Sequence, residues 1–414
     1  MHIKTHKFFN TTTRQAMFER VKGYVDKSVD VEVEIARIQD QYNLDQVYRF
    51  DLGENAEGYS PRITEYLREL RKDGKIDARL NEWLNSYPDR HYVALTKSLS
   101  DKFGIPPEWF LIGAGLDSIL DLITRVFLDP RDNYLMPIPS FYLFEEYSER
   151  MGAIPYFLEL REEDEFRWTA QTTQRFKELV DKFKPKLIWI ANPNNPTGQF
   201  IQDMVLEDLM DYARTYNAFI VIDEAYGEYT DPPGEVLSAA RFLDRYENLM
   251  VLRTFSKKYG LASLRIGYLM CSSPDILEGL QVHRHHFPVT QLSVDLAHIA
   301  LEDEAFLNQS RIQNTANRKE VFDHLSTLTN FSAIPTRTNI FMLKHRIFSG
   351  AQLKEAFEQR GIIASGIDIS GIKDKGYLRF TLRNQEDNRF LTKVCSEIDR
   401  GAGVENIEYL LKAR

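Results

Sequence analysis

The chain has 414 residues, 43% of them hydrophobic and 27% charged, the composition of a globular protein rather than a disordered or fibrous one. Its net charge of −9 disfavours a nucleic-acid partner, whose phosphates call for a basic stripe. Two cysteines, Cys271 and Cys395, are too few for a disulfide framework and fit a reducing, cytoplasmic compartment.

Residues 1–50 read as a polar leading arm, with amphipathic helices expected over Arg14–Tyr24 and Val31–Tyr42 and no apolar stretch of the secretory kind. A helix follows over 92–103, closed by the turn Gly104-Ile105-Pro106-Pro107, then a strand at Phe110–Gly113. Leu116–Leu128 keeps Ile119, Leu120, Ile123, Val126 and Phe127 on one helical face. Strands are expected at Asn133–Pro137 and Ile154–Leu158, around a helix at Leu143–Met151. The alternation continues with strand Lys186–Ala191, helix Met204–Tyr216, and strands Ala218–Asp223 and Leu249–Arg253. Beyond these come a long helix at Glu304–Leu325, strand Asn339–Leu343, helix Ala351–Arg360, strand Tyr377–Leu382 and helix Glu386–Arg400. No apolar run approaches the roughly 18 residues of a membrane span.

Short apolar strands separated by helices predict an α/β fold: a large domain with a mostly parallel sheet sandwiched by helices, then a smaller α+β C-terminal domain. The expected division is 1–58 as an arm belonging to the small domain, 59–310 as the large domain and 311–414 as the small one. In such sheets ligands bind beyond the carboxyl ends of the strands. Three unusual segments sit there. Asn192-Pro193-Asn194-Asn195-Pro196-Thr197-Gly198 follows KLIWIA, Asp223-Glu224-Ala225-Tyr226 follows AFIVI, and Thr254-Phe255-Ser256-Lys257-Lys258 follows LMVLR, with Arg265 eight residues past Lys257. Singly, each has an ordinary explanation: a turn cluster, a strand-end cap and a solvated basic run.

Their order and spacing resemble the fold-type-I pyridoxal-phosphate enzymes of the aspartate aminotransferase superfamily over about residues 50–400, and most of all the histidinol-phosphate aminotransferase branch. The resemblance implies pyridoxal 5'-phosphate as cofactor, with Lys257 holding its aldehyde and shuttling the substrate α-proton. It implies that Asp223 keeps the ring nitrogen protonated and that Tyr226 and Asn195 donate to the ring's phenolic oxygen. The phosphate falls to the N–H groups of Leu116 and Asp117 at a helix start, to the hydroxyls of Thr254 and Ser256, and to the Arg265 fork. Phe141 stacks on the ring. Tyr87 reaches the phosphate of a neighbouring subunit, which implies a homodimer. Arg379 clamps the substrate α-carboxylate bidentately, with Asn55 and Asn195 as further substrate contacts. Lys258 reads as a solvated neighbour of Lys257.

Two departures matter. Gly53-Glu54-Asn55-Ala56-Glu57-Gly58 has Gly and Ala where the family's leading motif has Asn and Pro. In Gly361-Ile362-Ile363-Ala364-Ser365, the serine stands where histidinol-phosphate aminotransferases and threonine-phosphate decarboxylases carry a phosphate-binding arginine. The expectation is therefore an aminotransferase moving an amino group between an unphosphorylated L-amino acid and a 2-oxo acid, with Tyr59, Phe141 and Tyr142 favouring an aromatic or long apolar side chain. The alternatives are a decarboxylase or lyase of the same fold, a histidinol-phosphate aminotransferase with an altered phosphate site, or a non-catalytic regulator. No metal is expected, because His283, His285 and His286 are neighbours on a helix and point to different faces.

Overall fold

The computed structural model describes residues 31–230, 238–367, 369–373 and 375–401; the helix expected over Arg14–Tyr24 lies outside them. Thirteen strands occur among the described residues: β1 (Tyr48–Arg49), β2 (Phe110–Gly113), β3 (Asn133–Ile138), β4 (Ile154–Glu159), β5 (Leu187–Ala191), β6 (Phe219–Asp223), β7 (Leu249–Thr254), β8 (Gly267–Met270), β9 (Phe331–Ala333), β10 (Ile340–His345), β11 (Ile362–Ile363), β12 (Ser365–Gly366) and β13 (Tyr377–Thr381). The main sheet has seven strands in the order β2-β8-β7-β6-β5-β3-β4. All neighbours run parallel except β8, which is antiparallel to β2 and β7.

Strands β5, β6 and β7 are apolar up to their carboxyl ends, where Asp223, Arg253 and Thr254 stand, because helices cover both faces of the sheet. One face packs Ile188, Ile190, Ile220, Ile222 and Val251 against helices that include Asp203–Arg214. The other packs Trp189, Val221, Met250 and Leu252 against Gly115–Phe127, which buries Ile119, Leu120 and Ile123 as its spacing predicts. Register then decides what meets at the sheet edge. Ala191 pairs with Asp223 and Asp223 with Leu252, so the three chemical segments leave adjacent parallel strands at one level.

A second core gathers Phe50, Val321, Leu325, Phe341, Leu353, Phe380 and Leu391 around the sheet β12-β13-β10-β9. The leading segment joins it, since β1 pairs in parallel with β11. Helix Glu304–Leu325 runs unbroken through residue 310, with Leu307 in the first core and Val321 in the second.

Helices Pro61–Lys72, Ile76–Asn85, Pro274–His283 and Gln291–Leu301, and strand β8, are absent from the sequence expectation. Their signals are weak for physical reasons. Gln291–Leu301 buries Val294, Leu296, Ala297, Ala300 and Leu301, leaving little polar contrast, while Pro61–Lys72 buries only Ile63. Among the described residues no helix is long and apolar enough to cross a membrane.

Candidate active site

Asp223 ends β6 and is buried, and its Oδ1 accepts from the Ala225 amide at 2.9 Å. Burial pushes this carboxyl up to about 7, only partly opposed by that amide. Three residues on, Tyr226 is buried beside Lys257, whose Nζ lies 5.5 Å from the tyrosine ring centroid and donates to the Leu52 carbonyl at 2.9 Å. Gly53 closes this corner. It adopts φ +67°, and a Cβ there would stand 2.7 Å from Tyr226 Oη and 3.3 Å from Lys257 Nζ. A side chain at this left-handed position would be strained, would push Tyr226 Oη aside and would crowd Lys257 Nζ, so glycine suits it.

Arg379, on β13, is buried with its guanidinium already oriented: Nη1 donates to Asn195 Oδ1 at 3.0 Å, and Nη2 to Ser365 Oγ at 3.3 Å and to the Asp51 carbonyl. Antiparallel register sets Ser365 opposite Arg379, and Ser365 Oγ itself donates to the Asp51 carbonyl at 2.8 Å. Asn195 arrives from the 192–198 loop, which is held by Asn192 on Ile201 and by Asn194 on Pro139 and Ser140. That last contact also ties the loop to Phe141, which meets Phe144 edge-on at 5.6 Å.

The anion end is equally assembled. Helix Gly115–Phe127 starts beside Arg265, so a Cβ on Gly115 would meet Arg265 Nη2 at 2.5 Å. Arg265 Nη1 donates to Ser256 Oγ at 3.3 Å and Nη2 to Asp117 Oδ2 at 3.4 Å, while Thr254 Oγ1 accepts from the Ser256 amide at 3.1 Å. First-turn amides of a helix have no intrahelical partner, so Leu116 and Asp117 present donors here. A buried carboxyl with a raised pKa awaiting a cation, an amine against a glycine floor, and a donor set suited to a dianion together fit pyridoxal phosphate.

Other expected residues stand elsewhere. Asn55 is committed to scaffold, donating to the Lys258 carbonyl at 2.8 Å and accepting from Ser310 Oγ at 3.2 Å. Tyr87 is 84% exposed and stacks on Phe287 at 4.8 Å, outside this chain's own constellation. Lys258 requires a correction: it is not solvated but 0% exposed, because the 53–58 segment and helix Glu304–Leu325 close over it. The backbone carbonyls of Leu52 and Asp51, which carry no side-chain signal in the sequence, complete the site. The histidines at 283, 285 and 286 are exposed, while Arg284 between them donates to the Ile112 carbonyl at 2.9 Å.

The Asp223 environment gives a testable sign. Its folded-state pKa lies above the usual 3.8, so its contribution to stability is present below about 4 and lost as pH rises through about 7. In the cofactor-free protein the stability advantage over Asp223→Asn should decline across that window, by at most about 4 kcal/mol. Melting curves of both proteins from pH 4 to 8 check this, and a pH-independent difference would refute it.

The model for the family "Aminotransferase class I and II" matches residues 47–396. Histidinol-phosphate aminotransferase 1 of Bacillus cereus is 31% identical over 364 residues, covering 88% of this chain and 92% of that protein. The histidinol-phosphate aminotransferase of Caldicellulosiruptor saccharolyticus is 30% identical, over 88% and 95% respectively. Among solved structures, aspartate aminotransferase of Thermus thermophilus with maleate superposes with a TM-score of 0.77 at 19% identity, covering 94% of this chain and 98% of that one. The histidinol-phosphate aminotransferase of Sinorhizobium meliloti in complex with pyridoxal-5'-phosphate gives 0.75 at 21% identity, covering 93% and 99%.

Proposed function

The chain belongs to the class I and II aminotransferases, and we propose that within this family it moves an amino group between an unphosphorylated L-amino acid and a 2-oxo acid. Its cofactor is pyridoxal phosphate, which when bound supplies an electron sink for the substrate's α-carbon. In this reading Lys257 holds the cofactor and moves the α-proton at Nζ, and Asp223 keeps a proton on the ring nitrogen. Tyr226 and Asn195 donate to the ring oxygen, and Phe141 covers a ring face. Leu116, Asp117, Thr254, Ser256 and Arg265 take the phosphate. Tyr87 would complete the site of a second copy in a homodimer, which its exposure supports.

The observation that carries the substrate reading is the Arg379 cradle. A buried fork held by Asn195, Ser365 and the Asp51 carbonyl is set for a planar carboxylate. Ser365 is spent in that cradle and cannot neutralise a substrate phosphate. The relatives' names favour a second reading, histidinol phosphate as amino donor. Values of kcat/KM for free amino acids, histidinol phosphate and threonine phosphate, with 2-oxoglutarate as acceptor, decide between them. At least a roughly hundredfold preference for some free amino acid, about 2.7 kcal/mol, is expected. A strong preference for either phosphate ester would reject the first reading.

A further inference from the structure

Lys258 is fully buried, and its Nζ has no hydrogen-bond partner among the described residues. The amine lies 4.5 Å from the centroid of the Tyr229 ring. Beyond hydrogen-bond reach, but close enough for the Glu228 charge to act on the amine, lies an ion triad. Arg253 bridges Glu224, at 2.8 Å, and Glu228, at 2.7 Å, with all three side chains buried at 9% exposure or less. Two carboxylates and one guanidinium leave this triad one negative charge in excess. The excess falls on Glu228: its Oε1 is taken by Arg253, while Oε2 has no hydrogen-bond partner among the described residues. An uncompensated charge in the interior is strongly unfavourable, so the triad calls for a further cation.

We infer that Lys258 is a positioning residue whose buried amine balances the Glu224–Arg253–Glu228 triad and thereby holds the turn carrying Asp223 and Tyr226 against Lys257. The covalent arrangement favours this. Glu224 follows Asp223 directly, Glu228 lies two residues beyond Tyr226, and the Tyr226 and Tyr229 rings pack 6.4 Å apart. From the other side, Asn55 binds the Lys258 carbonyl, fixing the segment whose Leu52 and Gly53 contact or border Lys257 Nζ. The charged groups facing the amine are Glu228 from the 227–229 turn, Glu57 from the leading segment and Arg311 from helix Glu304–Leu325. Burial pulls the amine down to about 7 and Arg311 acts the same way, while Glu228 and Glu57 hold it up. Glu57 is exposed, so solvent screens it and Glu228 is the main counter-charge.

The inference rests on the proposed cofactor site, and its test separates the two. Lys258→Met leaves the triad's negative charge unbalanced. It should lower the melting temperature of the cofactor-free protein by several degrees. In the loaded enzyme it should raise the pH midpoint of the bound cofactor's visible absorbance by about half a unit or more, since added negative charge favours protonated forms nearby. Glu228→Gln should move that midpoint the opposite way. The charge-neutral pair Lys258→Met with Glu228→Gln should recover most of both properties, which lost packing alone would not allow. Additive losses of melting temperature in the pair, or an unmoved midpoint in Lys258→Met, would overturn the inference. If Lys258→Met alone does not fold, the neutral pair should, and its failure to fold would also overturn it. Should the cofactor attach elsewhere than Lys257, the absorbance arm falls with the site reading, but the melting-temperature cycle still decides the charge balance.

Discussion

Replacing Lys257 by alanine is expected to lower kcat at least about ten-thousandfold, some 5.5 kcal/mol of barrier. Two functions disappear together in this variant. The amine that would hold the cofactor's aldehyde is lost, and so is the group that would carry the α-proton, a role worth about a hundred- to ten-thousandfold on its own. The proposed assignment singles out one of two adjacent lysines, and their surroundings differ. Lys257 Nζ lies against the Gly53 floor and Tyr226, whereas Lys258 Nζ is buried over Tyr229. Borohydride reduction of the wild-type enzyme should fix the cofactor to Lys257. A labelled peptide carrying it on Lys258, or an active Lys257→Ala protein, would overturn the site.

Asp223→Ala should leave the cofactor bound through the phosphate donors yet lower kcat by about three orders of magnitude, near 4 kcal/mol. Burial disfavours the charged form of this carboxyl in the empty site and raises it to about 7. A protonated ring nitrogen held by Asp223 would reverse that balance, since ion pairing in a dry site favours the charged carboxylate. In the proposed site, removing the carboxylate would therefore remove the partner that keeps the ring an electron sink. Cofactor occupancy by absorbance together with single-turnover rates separates the two effects; full activity at full occupancy would refute the role.

Much of this was legible in the sequence. Strand phase and apolar runs placed β5, β6 and β7, and the segments Asn192–Gly198, Asp223–Tyr226 and Thr254–Lys258 follow them, because local chain order alone dictates what leaves a strand end. The helix Glu304–Leu325 was equally readable from its spacing. The family resemblance also pointed to Ser365 as standing where an arginine is expected, which requires only a position within a motif.

What the tertiary structure decided concerns groups far apart in the chain. Arg379 acquires its orientation from Asp51, 328 residues away, and Lys257 meets a carbonyl 205 residues distant. Those partners are backbone oxygens, identical for every residue type, so no motif can announce them. Lys258 is the sharpest case. A lysine following a lysine reads as a solvated run until helix Glu304–Leu325 and the 53–58 segment close over it. Its burial, and with it the charge it must balance, exists only in the folded chain.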